Sequence, residues 1–162
     1  MTRRRIYASL VTMNVLAAWM GVAVFIGAVI APAAFAVLPS RALAGALVGR
    51  VLPVLFLSGI VVGAVVIAMH ATAIRAVAAG GLLLLAGNAF ALMIESRLHA
   101  LLASIGAPID SIPITDPRRV AFGRMHGMSV LLMALALLGA GAALVVLMRH
   151  VSVEPPRAPA LS

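Results

Sequence analysis

The sequence predicts an all-α fold: an integral membrane bundle of four transmembrane helices. Four stretches without a charged residue, 15–38, 51–69, 76–94 and 130–148, together make up half of the chain. At about 1.5 Å per residue, a helix of about nineteen residues extends about 28 Å, close to the thickness of the hydrocarbon core of a bilayer. The composition agrees, since 64% of the residues are hydrophobic and only 10% are charged.

The basic residues border these stretches instead of forming one polar face. All twelve are arginines, against four Asp and Glu, and the formal net charge is +8. A nucleic-acid-binding protein collects such charge on one surface, so we expect no nucleic acid and, as the partner, a lipid bilayer with anionic headgroups. The absence of cysteine excludes disulfides, thiolate metal sites and thiol nucleophiles.

The first span is predicted at about 10–32 and to be retained. The arginine triplet at 3–5 and the small-aromatic-small sequence at 34–36 are two features of a cleaved signal peptide. The apolar segment between them is much longer than the roughly 7 to 15 residues of a removable signal core. We therefore expect a helix that ends near Pro32.

Two side chains of this first helix are notable. Trp19 lies too deep for an interfacial aromatic belt, so we expect it to pack against another helix. Asn14 is expected to form an interhelical hydrogen bond or to line a polar path.

The second span is predicted at about 51–70. Leu38-Pro39-Ser40 reads as a turn, with Ser40 as the N-cap of the next helix. Residues 41–50 form either an interfacial helix or the first turns of a long second helix, which Pro53 allows to bend. We expect close helix packing within the bundle at two small-residue pairs, Gly59-x-x-x-Gly63 and Gly139-x-x-x-Ala143.

The third and fourth spans are predicted at about 75–97 and 126–148. The third helix is expected to extend toward Leu102, and the glycine and prolines between residues 104 and 119 indicate a non-helical loop. Asp116 as N-cap with Pro117 at the first helical position predicts the next helix start. The transmembrane domain is predicted to cover 1–150, with a disordered tail at 151–162.

The arginines divide evenly between the two sides of a four-span topology. The terminal side carries six and the other side six: Arg3, Arg4, Arg5, Arg75, Arg149 and Arg157 against Arg41, Arg50, Arg97, Arg118, Arg119 and Arg124. The first helix usually dominates orientation, so the triplet before it predicts that both termini are cytoplasmic.

A polar stripe is predicted on the third helix. Asn88, Glu95 and His99 are spaced seven and four residues apart and fall within roughly 40° of one another around the helix. An ionisable residue at this depth indicates a functional group that faces the bundle or a wet cavity. The alternative is that Glu95 neutralises Arg97, Arg124 or another outer arginine and so anchors the loop.

The start of the fourth helix brings further polar groups to the same membrane end. Arg124, His126 and Ser129 lie there, and His126 and Ser129 are neighbours on one face. The resulting cluster has three alternative roles: structural hydrogen bonding, proton or substrate handling, or binding of haem or a divalent metal by Glu95, His99 and His126. His70 and His150 are expected to be surface imidazoles at the opposite end.

Single positions and one dense block between residues 14 and 135 are similar to a known family. They are Trp19-x-Gly21, Phe25, Ala31-Pro32, Phe35, Leu38-Pro39, Gly45, Pro53, Glu95-x-Arg97 and Phe122-x-Arg124-x-His126-Gly127-x-Ser129. These residues resemble the bacterial branch of the transmembrane-protein-205-like proteins, a domain of unknown function. The resemblance implies a four-helix protein of the bacterial inner membrane without established chemistry. An asparagine that the family often has shortly after the Ser129 position is absent, and Met133 lies nearby.

The predicted function is non-enzymatic: to bind or pass a small solute, ion or lipid, or to support a membrane complex as a homo-oligomer or with another membrane protein. The hydrolase, P-loop and dinucleotide-binding fingerprints do not occur in the sequence, and no cofactor is predicted. The alternative function is a membrane redox protein that binds haem or metal through His99 and His126.

Overall fold

The computed structural model describes residues 3–152, with the backbone alone for Arg3. Helices and short connections account for all of these residues: α1 (Arg3–Phe25), a π-helical segment (Ile26–Ile30), α2 (Ala31–Val37), α3 (Arg41–His70), α4 (Arg75–Ile105), a 3-10 turn (Ile109–Ser111) and α5 (Pro117–Ser152). Four helical spans in this part of the chain are long and apolar enough to cross a membrane, and the first of them, Arg4–Val37, joins α1, the π segment and α2. The predicted all-α fold of four transmembrane helices is confirmed.

The sequence predicted that the first span ends near Pro32, but the helix continues beyond this residue. Pro32 lies in the first turn of α2, which continues to Val37. The π segment precedes it, and the N–H of Ala31 bonds to the carbonyl of Ile26, one residue farther back than in an α-helix. A proline has no N–H and its ring clashes with the carbonyl four residues earlier. The wider π turn adjusts the backbone there, so the helix passes the proline instead of stopping.

The second span begins at Arg41, ten residues before its apolar core. Ser40 has an extended backbone and its hydroxyl accepts a hydrogen bond from the N–H of Leu43 at 3.2 Å. This confirms Ser40 as the N-cap and decides between the two alternatives for residues 41–50, which are the first turns of α3. Pro53 lies inside that helix.

α4 is the central helix, because α3 packs on one of its sides and α5 on another. A Cβ atom added to Gly63 would lie 2.8 Å from the carbonyl oxygen of Gly81, and one added to Gly139 would lie 2.9 Å from that of Gly80. Such contacts require glycine, since they bring one backbone against another. Both small-residue pairs therefore pack within the protomer, as predicted.

The connection between α4 and α5 is tied to the end of the bundle by Asp110. Its carboxylate lies 3.5 Å from Arg41 at the start of α3 and 3.6 Å from Arg119 at the start of α5. The predicted non-helical loop contains one short 3-10 turn. Asp116 accepts a hydrogen bond from the N–H of Arg118 at 2.8 Å and caps α5, which begins at Pro117 as predicted.

The first span is the least embedded of the four. Of its most apolar eighteen residues, 11% are buried inside the bundle, whereas 39% of the corresponding eighteen residues of α4 are buried. At the other terminus, α5 includes residues 151 and 152, which the sequence assigned to a disordered tail. The rest of that predicted tail, 153–162, lies outside the described residues.

Candidate functional site

Glu95 and His99 form a polar pair where α3 and α4 meet. The Oε1 atom of Glu95 lies 3.3 Å from Nε2 of His99 one helical turn later. Gly49 of α3 faces them, and a Cβ atom added there would lie 3.1 Å from that imidazole nitrogen. The missing side chain of Gly49 therefore provides the space in which the pair sits.

The carboxylate of Glu95 is buried although no arginine neutralises it. Glu95 is 6% exposed, whereas Arg97 and Arg124 are exposed. Among the described residues, the ion pairs of arginines are made with Asp110 and Asp116, not with Glu95. The alternative that Glu95 anchors the outer loop is therefore wrong, because Asp110 has that role.

The pair closes one end of a groove between α3 and α4. The groove has a volume of about 460 Å³. Three of its lining side chains are polar, Glu95, Ser96 and His99, and the other five are apolar: Pro53, Ile60, Ala89, Leu92 and Met93. The carbonyl oxygen of Gly49 is a further polar group at this end, because Pro53, four residues later, has no N–H to donate to it. The polar end of the groove thus offers hydrogen-bond acceptors, and the rest offers apolar surface.

Asn88 is separate from this groove although it lies on the same helix. It is fully buried, and its amide is packed against Gly59 of α3, where an added Cβ atom would come within 2.5 Å. Its Nδ2 donates to the carbonyl of Leu84, while Oδ1 has no hydrogen-bond partner among the described residues. The predicted polar stripe is therefore divided into two parts: the packed amide of Asn88, and the pair of Glu95 and His99 that lines the groove.

His126 lies in the first turns of α5, at the end of the bundle that carries the α4–α5 connection. The ring of His126 is stacked on that of Phe122, with 6.1 Å between the ring centres. Ser129 is buried and does not bond to His126. Across residues 3–152, no three His, Asp or Glu side chains are grouped in a way that can hold a metal ion.

The two notable residues of the first helix have different outcomes. Trp19 is buried and its indole N–H donates to the carbonyl of Leu55 on α3 at 3.4 Å, which confirms the predicted packing against another helix. Asn14 is exposed and donates to the carbonyl of Leu10 in its own helix. The expectation of an interhelical hydrogen bond by Asn14 is therefore wrong within this chain.

Sequence reasoning missed His70, which is not a surface imidazole. It is 3% exposed, and its Nε2 lies 3.0 Å from the hydroxyl of Thr12 on α1. Thr12 is itself buried and the next buried polar residue toward the N-terminus is Ser9. The sequence contains one signal for this buried polar group: Ser9 and Thr12 are three residues apart, so both hydroxyls lie on one face of α1.

One family is similar to this chain over most of its length. The model of the domain of unknown function DUF4149 matches residues 14–107, which include the whole of α3 and α4 and therefore the Glu95 and His99 pair. Searches of the curated proteins and of the solved structures gave no match.

Proposed function

The chain belongs to the DUF4149 family of domains of unknown function, and from this premise we propose that it binds an amphiphilic small molecule from the bilayer in the groove between α3 and α4. The apolar part of the ligand lies along Ile60 and Leu92, and its head contacts Glu95 and His99. One observation carries the proposal: a buried carboxylate, unpaired with any arginine of the described chain, at the end of an apolar groove.

Burial of this carboxylate supports a binding role because burial is costly. An ionised group taken out of water loses several kcal/mol unless partners replace its hydration. His99 lies 3.3 Å from one oxygen of Glu95, and the remaining acceptor positions have no hydrogen-bond donor among the described residues. A ligand head with hydrogen-bond donors, such as an amine or an alcohol, would supply them.

The head group must provide the selectivity in this groove. A ligand that enters from the bilayer already has its tail in hydrocarbon, so the apolar wall adds little driving force beyond packing. The distance along α3 from Pro53 to Ile60 is about 10 Å at 1.5 Å per residue, which suits a chain of medium length. Affinity should therefore depend on the head and on Glu95 more than on chain length.

Three ten-carbon probes test the proposal: decylamine, decanol and decanoate. Each is titrated against the purified protein in maltoside detergent, and the apparent melting temperature is followed. We expect saturable stabilisation by the amine and the alcohol and none by decanoate, because its carboxylate meets acceptors. Glu95→Gln should weaken decylamine binding by about tenfold, as expected for a lost charge-assisted hydrogen bond.

Arg97→Gln is the matched control, since Arg97 lies two residues away on the same helix and is exposed without an ion pair among the described residues. It should bind decylamine like the wild type. The proposal fails if decanoate binds as well as decylamine, or if Glu95→Gln and the wild type bind decylamine equally.

The alternative of a haem or metal bound by His99 and His126 has its own signature. It requires a Soret band or a stoichiometric metal in the purified protein. His126 is already stacked on Phe122, and amphiphile binding requires neither signal. An absorption spectrum together with metal analysis therefore separates the two.

The proposal also covers the membrane that holds the protein, its topology and its partners. We place the protein in the bacterial inner membrane with both termini in the cytoplasm, because the arginine triplet precedes the first span. The narrower kinship with the transmembrane-protein-205-like proteins rests on the residue resemblance around His126. The outward-facing amide of Asn14 supports contact of the first span with a second copy or another membrane protein.

A further inference from the structure

A second cavity lies at the other end of the bundle, far from the groove. It has a volume of about 200 Å³ and forms where α1, α5 and the α3–α4 turn meet, with the lining Arg5, Ala8, Ser9, Met69, His70, Ala73, Ile74 and His150. A water molecule in the liquid takes up about 30 Å³. The cavity is thus large enough for a ligand of several non-hydrogen atoms, and four of its lining side chains are polar.

His70 presents one ring nitrogen to this cavity. The hydroxyl of Thr12 lies 2.9 Å from the carbonyl oxygen of Ala8 and 3.0 Å from Nε2 of His70. Its one proton can go to either acceptor, and when it goes to Nε2 the neutral ring carries its own proton on Nδ1. Among residues 3–152 the one fully enclosed side-chain nitrogen or oxygen without a partner is Oδ1 of Asn88. Nδ1 of His70 also has no hydrogen-bond partner among the described residues, so it is not enclosed, and His70 lines the cavity. In the tautomer that accepts a hydrogen bond from Thr12, this nitrogen carries a proton for a ligand.

The hydroxyl of Ser9 also points to a ligand. Ser9 is 1% exposed and lines the cavity. No hydrogen bond of its side chain occurs within the described part of the chain, although buried hydroxyls are normally paired. By the same reasoning as for His70, this hydroxyl opens into the cavity and is available as a donor.

The charge around the cavity has one sign. Arg5 and His150 line it, and α4 begins beside it at Arg75 without a side-chain cap for its first N–H groups. The acidic residues within 3–152 are Glu95, Asp110 and Asp116, which all lie toward the opposite end. A guanidinium, a hydroxyl, imidazoles and an uncapped helix start are the donors that proteins use for phosphate.

We propose that this inner cavity, formed by Arg5, Ser9, His70 and His150, binds a phosphate group. The phosphate belongs either to the headgroup of an anionic lipid or to a free phosphate. The site is independent of the amphiphile groove, because no residue lines both.

The test uses the full chain in maltoside detergent, which contains no phosphate. Inorganic phosphate and a short-chain phosphatidylglycerol are titrated separately, and the apparent melting temperature gives the affinity of each. We expect saturable stabilisation by at least one probe. Preference for the lipid assigns a headgroup site, and preference for the inorganic ion assigns a free phosphate site.

The pair Arg5→Gln and Arg4→Gln tests whether the cavity is the binding site. Both variants remove one positive charge from the same end of α1, but Arg4 does not line the cavity. Arg5→Gln should weaken binding by about tenfold, and Arg4→Gln should leave it within about twofold of the wild type. Ser9→Ala, which removes only the hydroxyl oxygen, should weaken binding by several-fold and carries the test if Arg5→Gln does not fold.

Two results would overturn the proposal. One is the absence of saturable binding of both probes. The other is equal weakening in Arg4→Gln and Arg5→Gln together with unchanged binding in Ser9→Ala, which would mean attraction by the general positive charge of this end. Decylamine binding in the groove should be the same in all three variants, so failure here is distinct from failure of the proposed function.

Discussion

Glycines facing polar side chains decide which polar groups this membrane bundle can bury. Gly49 makes room for Glu95 and His99, and Gly59 makes room for the amide of Asn88. In hydrocarbon a polar side chain on a lipid-facing surface is costly, so its burial against a neighbouring backbone is favourable when that backbone approaches closely. The smallest residues of α3 thus position the most polar residues of α4.

Gly59→Ala should destabilise the protein by about 1 to 3 kcal/mol, the usual cost of overpacking. The added Cβ atom would lie 2.5 Å from the amide of Asn88, which is fully buried and held by its bond to Leu84. Thermal unfolding measures the effect. Gly45→Ala on the same helix is the control, because nothing lies within 4 Å of that site. In an Asn88→Ala background the cost of Gly59→Ala should shrink, and equal costs in both backgrounds would contradict the contact.

The cap of α5 should give a pH-dependent contribution to stability. Hydrogen bonds from Arg118 hold the pKa of Asp116 below its ordinary value of 3.8. Because the folded-state pKa is lowered, the stabilisation is present above pH 3.8 and is lost as the pH falls through the folded-state value. Asp116→Asn keeps a capping side chain without a charge. Its melting temperature should lie slightly below that of the wild type at pH 6, and the difference should disappear in strong acid.

At the scale of elements, each helix is shaped by how its backbone is satisfied inside the membrane. The π segment carries the first span past Pro32, and Pro53 is retained within α3. Neighbouring helices and local π turns allow prolines in transmembrane helices. α4 is fixed differently, since its glycines bring its backbone against α3 on one side and α5 on the other.

Gly80→Ala should be more damaging than Gly59→Ala. The added Cβ atom would lie 2.6 Å from the carbonyl oxygen of Gly139, and a backbone atom cannot rotate away as a side chain can. We expect a loss of about 3 kcal/mol or more, with α4 and α5 forced apart. Thermal unfolding checks this, with Gly21→Ala as the control at an open helical position. Equal melting temperatures for Gly80→Ala and the wild type would show that α4 and α5 do not pack as described.

At the scale of the whole molecule, the two ends of the bundle differ in charge. The three acidic residues within 3–152 lie toward the end that carries the α4–α5 connection, and the cavity with Arg5 and His150 lies at the other end. In the topology predicted from the full sequence, the arginines divide six and six between the two sides. The ends therefore differ in net charge through their acidic residues, to which the positive-inside rule gives little weight.

Both termini in the cytoplasm would place the α4–α5 connection outside. Because the chain has no cysteine, Ser111→Cys gives a unique label on this exposed connection. An impermeant thiol reagent should modify it in intact cells. Thr72→Cys in the exposed α3–α4 turn is the matched control and should react only after permeabilisation. The reverse labelling pattern would place the termini outside.

The sequence by itself determined the membrane class, the number of spans and most helix starts. Hydrophobic length is a local property, and so are the Ser40 and Asp116 caps, which act within three residues. It also brought Glu95 and His99 together, because helical spacing alone makes them neighbours. These features depend on the order of residues along one helix.

Only the tertiary structure decided which polar groups are buried and what they contact. Local patterning could not show that Asn88 packs on Gly59, that Asn14 faces outward, or that His70 meets Thr12 from fifty-eight residues away. In a soluble protein, a hydrophobic face would have indicated the inward side of each helix. In this protein lipid and protein interior are equally hydrophobic, so apolar residues occur on every face of each helix. The orientation of each polar side chain is therefore set by the contacts between helices and not by the pattern along them.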